Sequence, residues 1–447
     1  REKEKVSGGV GKGGDAEPRS TTRERVGSSA GERALSRRHR VVLEASFVDQ
    51  AEIVFTTLAS SARDVFRRQL THGFDTVLVD EAAQASETQT LVPFLLGAER
   101  CVLVGDPRQL PSTVLSGAAQ EAKLQRSLFE RFSKLGARIV LLSVQYRMHP
   151  EIRRFPSEAF YDGRLEDARS VLDREAADPL FFRGARAAEA ERDGDALLSR
   201  PYVFFDAASG SASRTGGKTR NVVEAVLVAC LYRALAEKLK RRNGDGANAN
   251  ANANASRGPR VVAVITPYRQ QRVAILDAFA ALCGGTGAAA RLGVVVSTVD
   301  GFQGREADVV IFSAVRGGEG GGGGGGGASR GVGFLKDVRR VNVALTRAKR
   351  ALWIVGHAEG LRRSGTIWET LVEDAERRGC VVRNADERED VLGGATSAGE
   401  RDDAIRRLEG GRDAPRRFGG GWGGDRGDRG AGGRRRGGRD DEAGGGW

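Results

Sequence analysis

Cysteine and histidine are scarce in this sequence, and their scarcity removes whole classes of chemistry. The four cysteines (Cys101, Cys230, Cys283, Cys380) lie far apart, with no CxxC spacing and no Cys/His cluster. They argue against both a zinc module and a disulfide scaffold, and they suit a reducing compartment. The four histidines, His39, His72, His149 and His357, offer no multi-histidine metal site. No run approaches the roughly 18 apolar residues that a membrane helix needs, so a helical membrane protein is excluded. Nothing near Arg1 reads as a signal peptide, and the absence of an initial methionine points to a truncated gene model or a processing site.

What the chain does have is length, arginine and glycine. Its 447 residues are ample for two domains, each with its own core. The formal charge is +12, and it is unevenly spread. Residues 1–40 carry eleven Lys/Arg against six Asp/Glu, and residues 411–447 carry nine against six. The ends thus hold +5 and +3, which leaves a body close to balance. Both tails are poor in apolar residues and are expected to be disordered. The last stretch interleaves arginine and glycine with Trp422 and Trp447, a composition suited to contact with RNA phosphates and bases, or equally to a solvated linker. Two low-complexity pieces, 243–256 and 317–329, read as surface insertions, and 166–200 as an irregular one.

Between the tails, short Val/Ile-rich runs recur: AEIVFTTL, FDTVLVD, RCVLVGD, RIVLLSV, YVFFDA, RVVAVITP, GVVVSTV, ADVVIFSAV and RALWIVG. Continuous apolar character, rather than alternation, predicts strands buried on both faces, hence parallel sheets. Helical segments are expected at 87–96, 123–135, 221–238, 269–282, 337–347 and 367–377. This alternation predicts an α/β fold with ligands at the carboxyl ends of the strands. The organisation read from it is a basic segment 1–40, a partial first domain 41–135, a second domain 136–383, and an Arg/Gly-rich tail 384–447.

FDTVLVDEAAQ places Asp80 and Glu81 where an apolar strand ends. In a nucleotide-hydrolysing site one carboxylate holds Mg²⁺ and the next orients the attacking water; the alternative is two acids that cap the next helix. RCVLVGDPRQLP then delivers Asp106 and Gln109 at the next strand exit, where a glutamine can hydrogen-bond a γ-phosphate. With QYRMHP, STVDGFQGREADVVIFS and RRVNVALTRAKRALWIVG, these phrases resemble motifs II to VI of superfamily 1 helicases. They are similar to the Upf-one-like group, and within it to the senataxin-type RNA/DNA helicases, over residues 41–356.

That resemblance implies tandem RecA-like P-loop NTPase domains and an ATP-dependent helicase that uses ATP and Mg²⁺. It implies 5′-to-3′ movement on single-stranded RNA or DNA. Asp80 would hold the metal, Glu81 activate water and Gln109 sense phosphate. Arg147 and Arg347 would supply positive charge to the transferring phosphoryl group. Tyr146 would meet the adenine, Gln303 and Gly304 the phosphates, and Glu306 the ribose. Thr57, Pro111 and Thr298 would touch the nucleic-acid backbone. A nuclear location is implied, with the cytoplasm as the alternative, and no membrane partner.

One part of the pattern is missing. GGVGKGG at 8–14 and Gly217-Lys218-Thr219 both lack the spacing of the GxxxxGK[ST] phosphate loop. Lys218 reads as structural or nucleic-acid-facing. The first domain is therefore expected to be incomplete. The chain is then either a carboxy-terminal piece of the core, inactive alone, or a non-catalytic nucleic-acid-binding scaffold.

Overall fold

The computed structural model describes residues 30–68, 72–177, 181, 197–210, 213–215, 218–244, 261–315, 337–389, 392 and 394–410. The chain enters through helix α1 (Ala30–Asp49) and reaches two parallel strands, β1 (Thr76–Val79) and β2 (Arg100–Leu103), paired from Thr76↔Arg100 to Val79↔Leu103. A short strand β3 (Val144–Gln145) precedes α2 (Pro150–Tyr161). Then come β4 (Glu166–Asp167), parallel to β3, and α3 (Arg169–Ala177).

The larger unit follows: β5 (Tyr202–Asp206), an antiparallel hairpin of β6 (Ser213–Thr215) and β7 (Lys218–Arg220), α4 (Val222–Gly244), β8 (Val262–Thr266) and α5 (Arg269–Leu282). It is completed by β9 (Val294–Thr298), β10 (Ala307–Ser313), α6 (Val338–Leu345), β11 (Ala348–Gly356), α7 (Ile367–Arg377), β12 (Val381–Val382) and α8 (Ala398–Gly410). Among the described residues no helix is long and apolar enough to cross a membrane.

Six strands form one parallel sheet in the order β12-β5-β11-β10-β8-β9. Alternate residues of each strand serve opposite cores. Val203, Phe205, Val264, Ile311 and Trp353 face α4, α5 and α8. Tyr202, Phe204, Ile265, Phe312 and Ile354 face α2, α6 and α7. The second core includes a stacked pair, Phe312 and Trp368, with ring centroids 5.7 Å apart. Because helices cover both faces, these strands read as unbroken apolar runs.

Several expectations are corrected here. AEIVFTTL and RIVLLSV form no strand apart from the last residue of the second, Val144, in β3. A strand needs a ladder partner, and the β1–β2 pair offers these runs none. Phe55 is accordingly 93% exposed and Leu142 77%. The basic segment is helical from Ala30, and the tail holds α8, which lays Ala404, Ile405 and Leu408 against α4 and α5. The 166–200 segment begins with a strand and a helix. The expected 87–96 helix is α-helical over Glu87–Thr90 and 3₁₀ over Pro93–Leu96. The Arg/Gly stretch 411–447 and the 317–329 insertion lie outside the described residues, as does GGVGKGG.

Candidate active site

The site is built at strand ends on both sides of a cleft. β1 runs out into Asp80 and Glu81, and Glu81 takes a left-handed backbone (φ 52°, ψ 36°) that turns the chain into a 3₁₀ segment, Ala82–Gln84. A non-glycine residue in that region stores strain, and here local bonds support it. The Glu81 N–H donates to Asp80 Oδ1 at 2.9 Å, and Gln84 Nε2 donates to Glu81 Oε2 at 2.6 Å. Both carboxylates are solvent-exposed, open to a ligand. The exit of β2 passes so close that a Cβ on Gly105 would meet the Ala83 nitrogen at 2.8 Å. Only glycine fits there, and the close passage sets Asp106 beside the Asp80–Glu81 turn.

Asp106 organises its own loop. Its Oδ1 accepts from the Arg108 N–H at 2.9 Å, and its Oδ2 accepts from Gln109 Nε2 at 3.0 Å. That loop also binds the second unit. Tyr161, at the end of α2, donates to Asp106 Oδ2, and Asn342 Nδ2 donates to the Arg108 carbonyl at 3.0 Å and to the Tyr161 oxygen at 2.8 Å. Burial, and next the Asp106 charge, push the Tyr161 phenol well above its usual pKa. Leu110 inserts into the core of the larger unit.

Across the cleft, Arg347 is buried, with 3% exposure. Its Nε donates to the Val343 carbonyl at 3.0 Å and its Nη2 to Thr346 Oγ1 at 3.0 Å. Burial, then the neighbouring Arg147 charge, pull its pKa down to about 10, against opposing pulls from Glu81, Tyr161 and Glu306. The guanidinium therefore stays charged near neutrality, within the field of Glu81 on the facing unit.

Arg147 donates from Nε to Glu306 Oε2 at 2.8 Å and from Nη1 to the Thr346 carbonyl at 3.2 Å. Lys349 also pairs with Glu306. Burial raises the Glu306 carboxyl, but the bonds from Lys349 and Arg147 outweigh it and leave the pKa lowered. Arg147 and Glu306, expected at opposite ends of a nucleotide, here neutralise each other.

Tyr146 is 71% exposed, with its ring free to stack. Gln303 carries a buried Nε2 with no hydrogen-bond partner among the described residues, and Gly304 follows at φ 73°. An unpaired buried donor beside a glycine that leaves open space suits an acceptor-rich ligand such as a phosphate. Among the described residues no group of three or more His, Cys, Asp or Glu could hold a metal alone. Asp80 fits a Mg²⁺ that arrives with its nucleotide, since such ions take one or two carboxylates and complete their shell with phosphate and water.

The residues expected at the nucleic-acid backbone are less gathered. Thr57 bonds Ser60 Oγ at 2.9 Å and accepts from the Ser60 N–H at 3.2 Å, a local cap on an exposed turn. Thr298 ends β9 and accepts from the Gly301 N–H at 3.3 Å, and Pro111 is half-buried beside Leu110. Lys218 lies in the β6–β7 ladder opposite Thr215, which suits a structural role better than a phosphate loop. Sequence reasoning missed Tyr161, Asn342, Lys349 and Arg174 as site residues. Asn342 and Lys349 sit inside RRVNVALTRAKR and were within reach, whereas Tyr161 and Arg174 carry no local signal.

The AAA domain family is matched twice, over residues 12–117 and over 124–359, the latter more than half of the chain. The chain is 37% identical over 339 residues to the probable helicase MAGATAMA 3 of Arabidopsis thaliana, covering 75% of this chain and 36% of that protein. It is 37% identical over 354 residues to helicase SEN1 of Saccharomyces cerevisiae, with 78% and 14% covered. It is 32% identical over 352 residues to the probable helicase senataxin of Homo sapiens, with 75% and 11% covered. This chain belongs to the Upf-one-like superfamily 1 helicases. Its architecture is α/β with parallel sheets, as expected for tandem RecA-like domains. An arterivirus nonstructural protein 10 helicase in complex with DNA matches 67% of this chain and 43% of that one, at 15% identity and a TM-score of 0.31, too distant to inform the site. The chain spans about a third or less of the length of these curated helicases.

Proposed function

We propose that this chain supplies most of the motor of an ATP-dependent helicase that moves 5′ to 3′ on single-stranded RNA or DNA. One observation carries the reading: the loop beside the Asp80–Glu81 turn is hydrogen-bonded through Asp106 and Arg108 to Tyr161 and Asn342, the latter on the helix that leads into the buried Arg347. A water-activating acid on one side and a fixed cation on the other make hydrolysis depend on closure of the cleft. Asp80 and Glu81 serve the metal and the water, Gln109 the γ-phosphate, and Arg147 and Arg347 the charge that develops in transfer. Tyr146 takes the adenine, Gln303 and Gly304 the phosphates, and Glu306 the ribose. Mg²⁺–ATP supplies the transferable phosphoryl group when bound. Closure and opening then alternate the grip of domains 41–135 and 136–383 on the nucleic-acid backbone, through Thr57, Pro111 and Thr298.

The phosphate loop belongs, in this reading, to the full-length protein upstream of Arg1. The exposed apolar residues of β1 and β2, Leu78 and Val102, support further strands completing the first sheet. The setting is proposed to be the nucleus, with the Arg/Gly tail adding contact to RNA. The test is Glu81→Gln in the full-length protein. Nucleic-acid-stimulated ATP hydrolysis should vanish while ATP binding persists, because Asp80 still holds the metal. Hydrolysis at the wild-type rate would overturn the role given to Glu81, and a wild-type protein without nucleic-acid-stimulated hydrolysis would favour a scaffold.

A further inference from the structure

We propose that β4 and α3 form a clamp whose purpose is to aim Arg147, with Asp167, Arg174 and Glu175 as positioning residues. The inference rests on the reading of Arg147 as a charge-supplying finger. The loop 145–149 joins β3 to α2, and its side chains split into two sets. Tyr146 and Arg147 reach the cleft, while Met148 and His149 are buried. A long arginine on a loop is well aimed only if the loop backbone has one conformation. A displacement of about 1 Å at a reacting centre can cost a hundredfold in rate.

The clamp fixes that conformation from both sides. Asp167 Oδ1 accepts from Gln145 Nε2 at 2.7 Å and from Arg153 Nε at 2.9 Å. So held, Gln145 Oε1 accepts from the N–H groups of Arg147 at 2.9 Å and Met148 at 2.7 Å. From the other side, Arg174 Nη2 donates to the carbonyl of Arg147 itself at 2.8 Å and reaches that of Lys349 at 3.4 Å. The Lys349 carbonyl also accepts from the His149 N–H at 2.8 Å, so the loop is tied to β11, two residues from Arg347. Glu175 orients the donor: its Oε1 accepts from Arg174 Nε at 3.0 Å, and its Oε2 lies 3.3 Å from His149 Nε2. The N–H and the C=O of Arg147 are thus both held by side chains that owe their own positions to β4 and α3. The bonds to Asp167 and from Arg174 are charge-assisted and part-buried, which makes them the strong members of the set.

The test uses nucleic-acid-stimulated ATPase of the full-length protein at saturating ATP, with Arg147→Ala, Arg174→Ala, the double variant and Arg174→Lys. Arg174→Ala should lower kcat about ten- to a hundredfold while the KM for ATP moves less than about twofold. Arg174→Lys, which keeps the charge and a donor, should recover part of the loss. The double variant should be no slower than Arg147→Ala alone, since a positioning residue has nothing left to position. Losses that multiply, or an Arg174→Ala variant with wild-type kcat, overturn the clamp and leave the finger standing. A wild-type kcat in Arg147→Ala overturns both. If Arg174→Ala does not fold, Arg174→Lys and Glu175→Gln enter the same pairing with Arg147→Ala under the same criteria.

Discussion

The Tyr161 hydroxyl donates a 2.5 Å hydrogen bond to the Asp106 carboxylate, joining the end of α2, which packs on the core of the larger unit, to the exit of β2. The same carboxylate oxygen accepts from Gln109, so one atom links the residue proposed to sense phosphate with the opposite wall of the cleft. A nucleotide that draws Gln109 toward its γ-phosphate must loosen or reshape this junction. Coupling between the two units can therefore pass through Asp106.

Tyr161→Phe tests that coupling. It removes the hydrogen bond to a charged acceptor, worth about 1.5–3 kcal/mol, together with the bond that the phenol oxygen accepts from Asn342, which keeps its bond to the Arg108 carbonyl. In the full-length protein the stimulation of ATPase by nucleic acid should fall about tenfold, with ATP affinity little changed. Stimulation at the wild-type ratio would show that the junction is structural only.

The two arginines should differ from their acidic neighbour in what their removal does. Arg347→Ala and Arg147→Ala should each reduce kcat by roughly a hundred- to a hundred-thousandfold. Glu306→Gln, by contrast, releases Arg147 from its present partner. It should weaken ATP binding, because the ribose hydroxyls then meet a neutral amide, and reduce kcat far less than either arginine variant. Steady-state kinetics of the three variants separate these outcomes, and a Glu306→Gln defect in kcat as deep as that of Arg147→Ala would count against the assignment.

The place of the acids was legible because the apolar run FDTVLV ends as a strand at DE, although their use was not, since two acids at a strand exit also serve as helix caps; α7 was read to the residue. The failures have a common cause. AEIVFTTL and RIVLLSV are apolar enough for strands, yet a strand exists only where a neighbour completes its ladder, and pairing is a property of the sheet, not of the run. Residues 169–177 are too charged to show a helical face, since the job of Arg174 and Glu175 is to bind backbone and side-chain groups rather than to fill a core. The α8 helix has only sparse apolar anchors in Ala404, Ile405 and Leu408, so its composition resembled the tail it precedes. The Arg147–Glu306 pair joins residues 159 apart in sequence, which no local pattern can announce.

The Arg/Gly tail should add affinity that ignores nucleotide state. Deleting residues 411–447 should weaken binding to single-stranded RNA at low salt. It should also flatten the slope of log K against log salt by about 0.7 for each phosphate that the tail had neutralised. Six acids sit among the nine arginines, so the change should correspond to a few phosphates rather than nine. Binding titrations at several salt concentrations measure it, and an unchanged slope would make the tail an inert linker.

Glu224 gives the larger unit a pH dependence of its own. The residue is fully buried in the first turn of α4, and its carboxylate faces three donors and, among the described residues, no cation bonded to it. Its Oε2 accepts from Ser313 Oγ at 2.7 Å and from the Val315 N–H at 2.8 Å, and its Oε1 from Asn221 Nδ2 at 3.1 Å. Gln271 braces the network by bonding the Asn221 carbonyl and Ser313 Oγ. Val315 stands at φ 72°, a strained backbone for a β-branched residue, at the point where the chain leaves β10. Burial raises the Glu224 pKa from its ordinary 4.5 to about 7, although the bonds from Ser313, Val315 and Asn221 pull the other way. Between those two values the folded protein holds a proton that the unfolded chain has released, so stability falls as pH rises from about 4.5 to about 7 and is level above. The span corresponds to a loss of order 3 kcal/mol, or several degrees in Tm for a unit of this size. Glu224→Gln cannot titrate and turns an amide toward Asn221, so it should be less stable than the wild type at about pH 5 and should close that gap by about pH 8. Thermal unfolding of both proteins across this range measures the difference. A Tm difference that stays constant with pH would mean that Glu224 takes up no extra proton on folding, and that the three donors alone carry its charge.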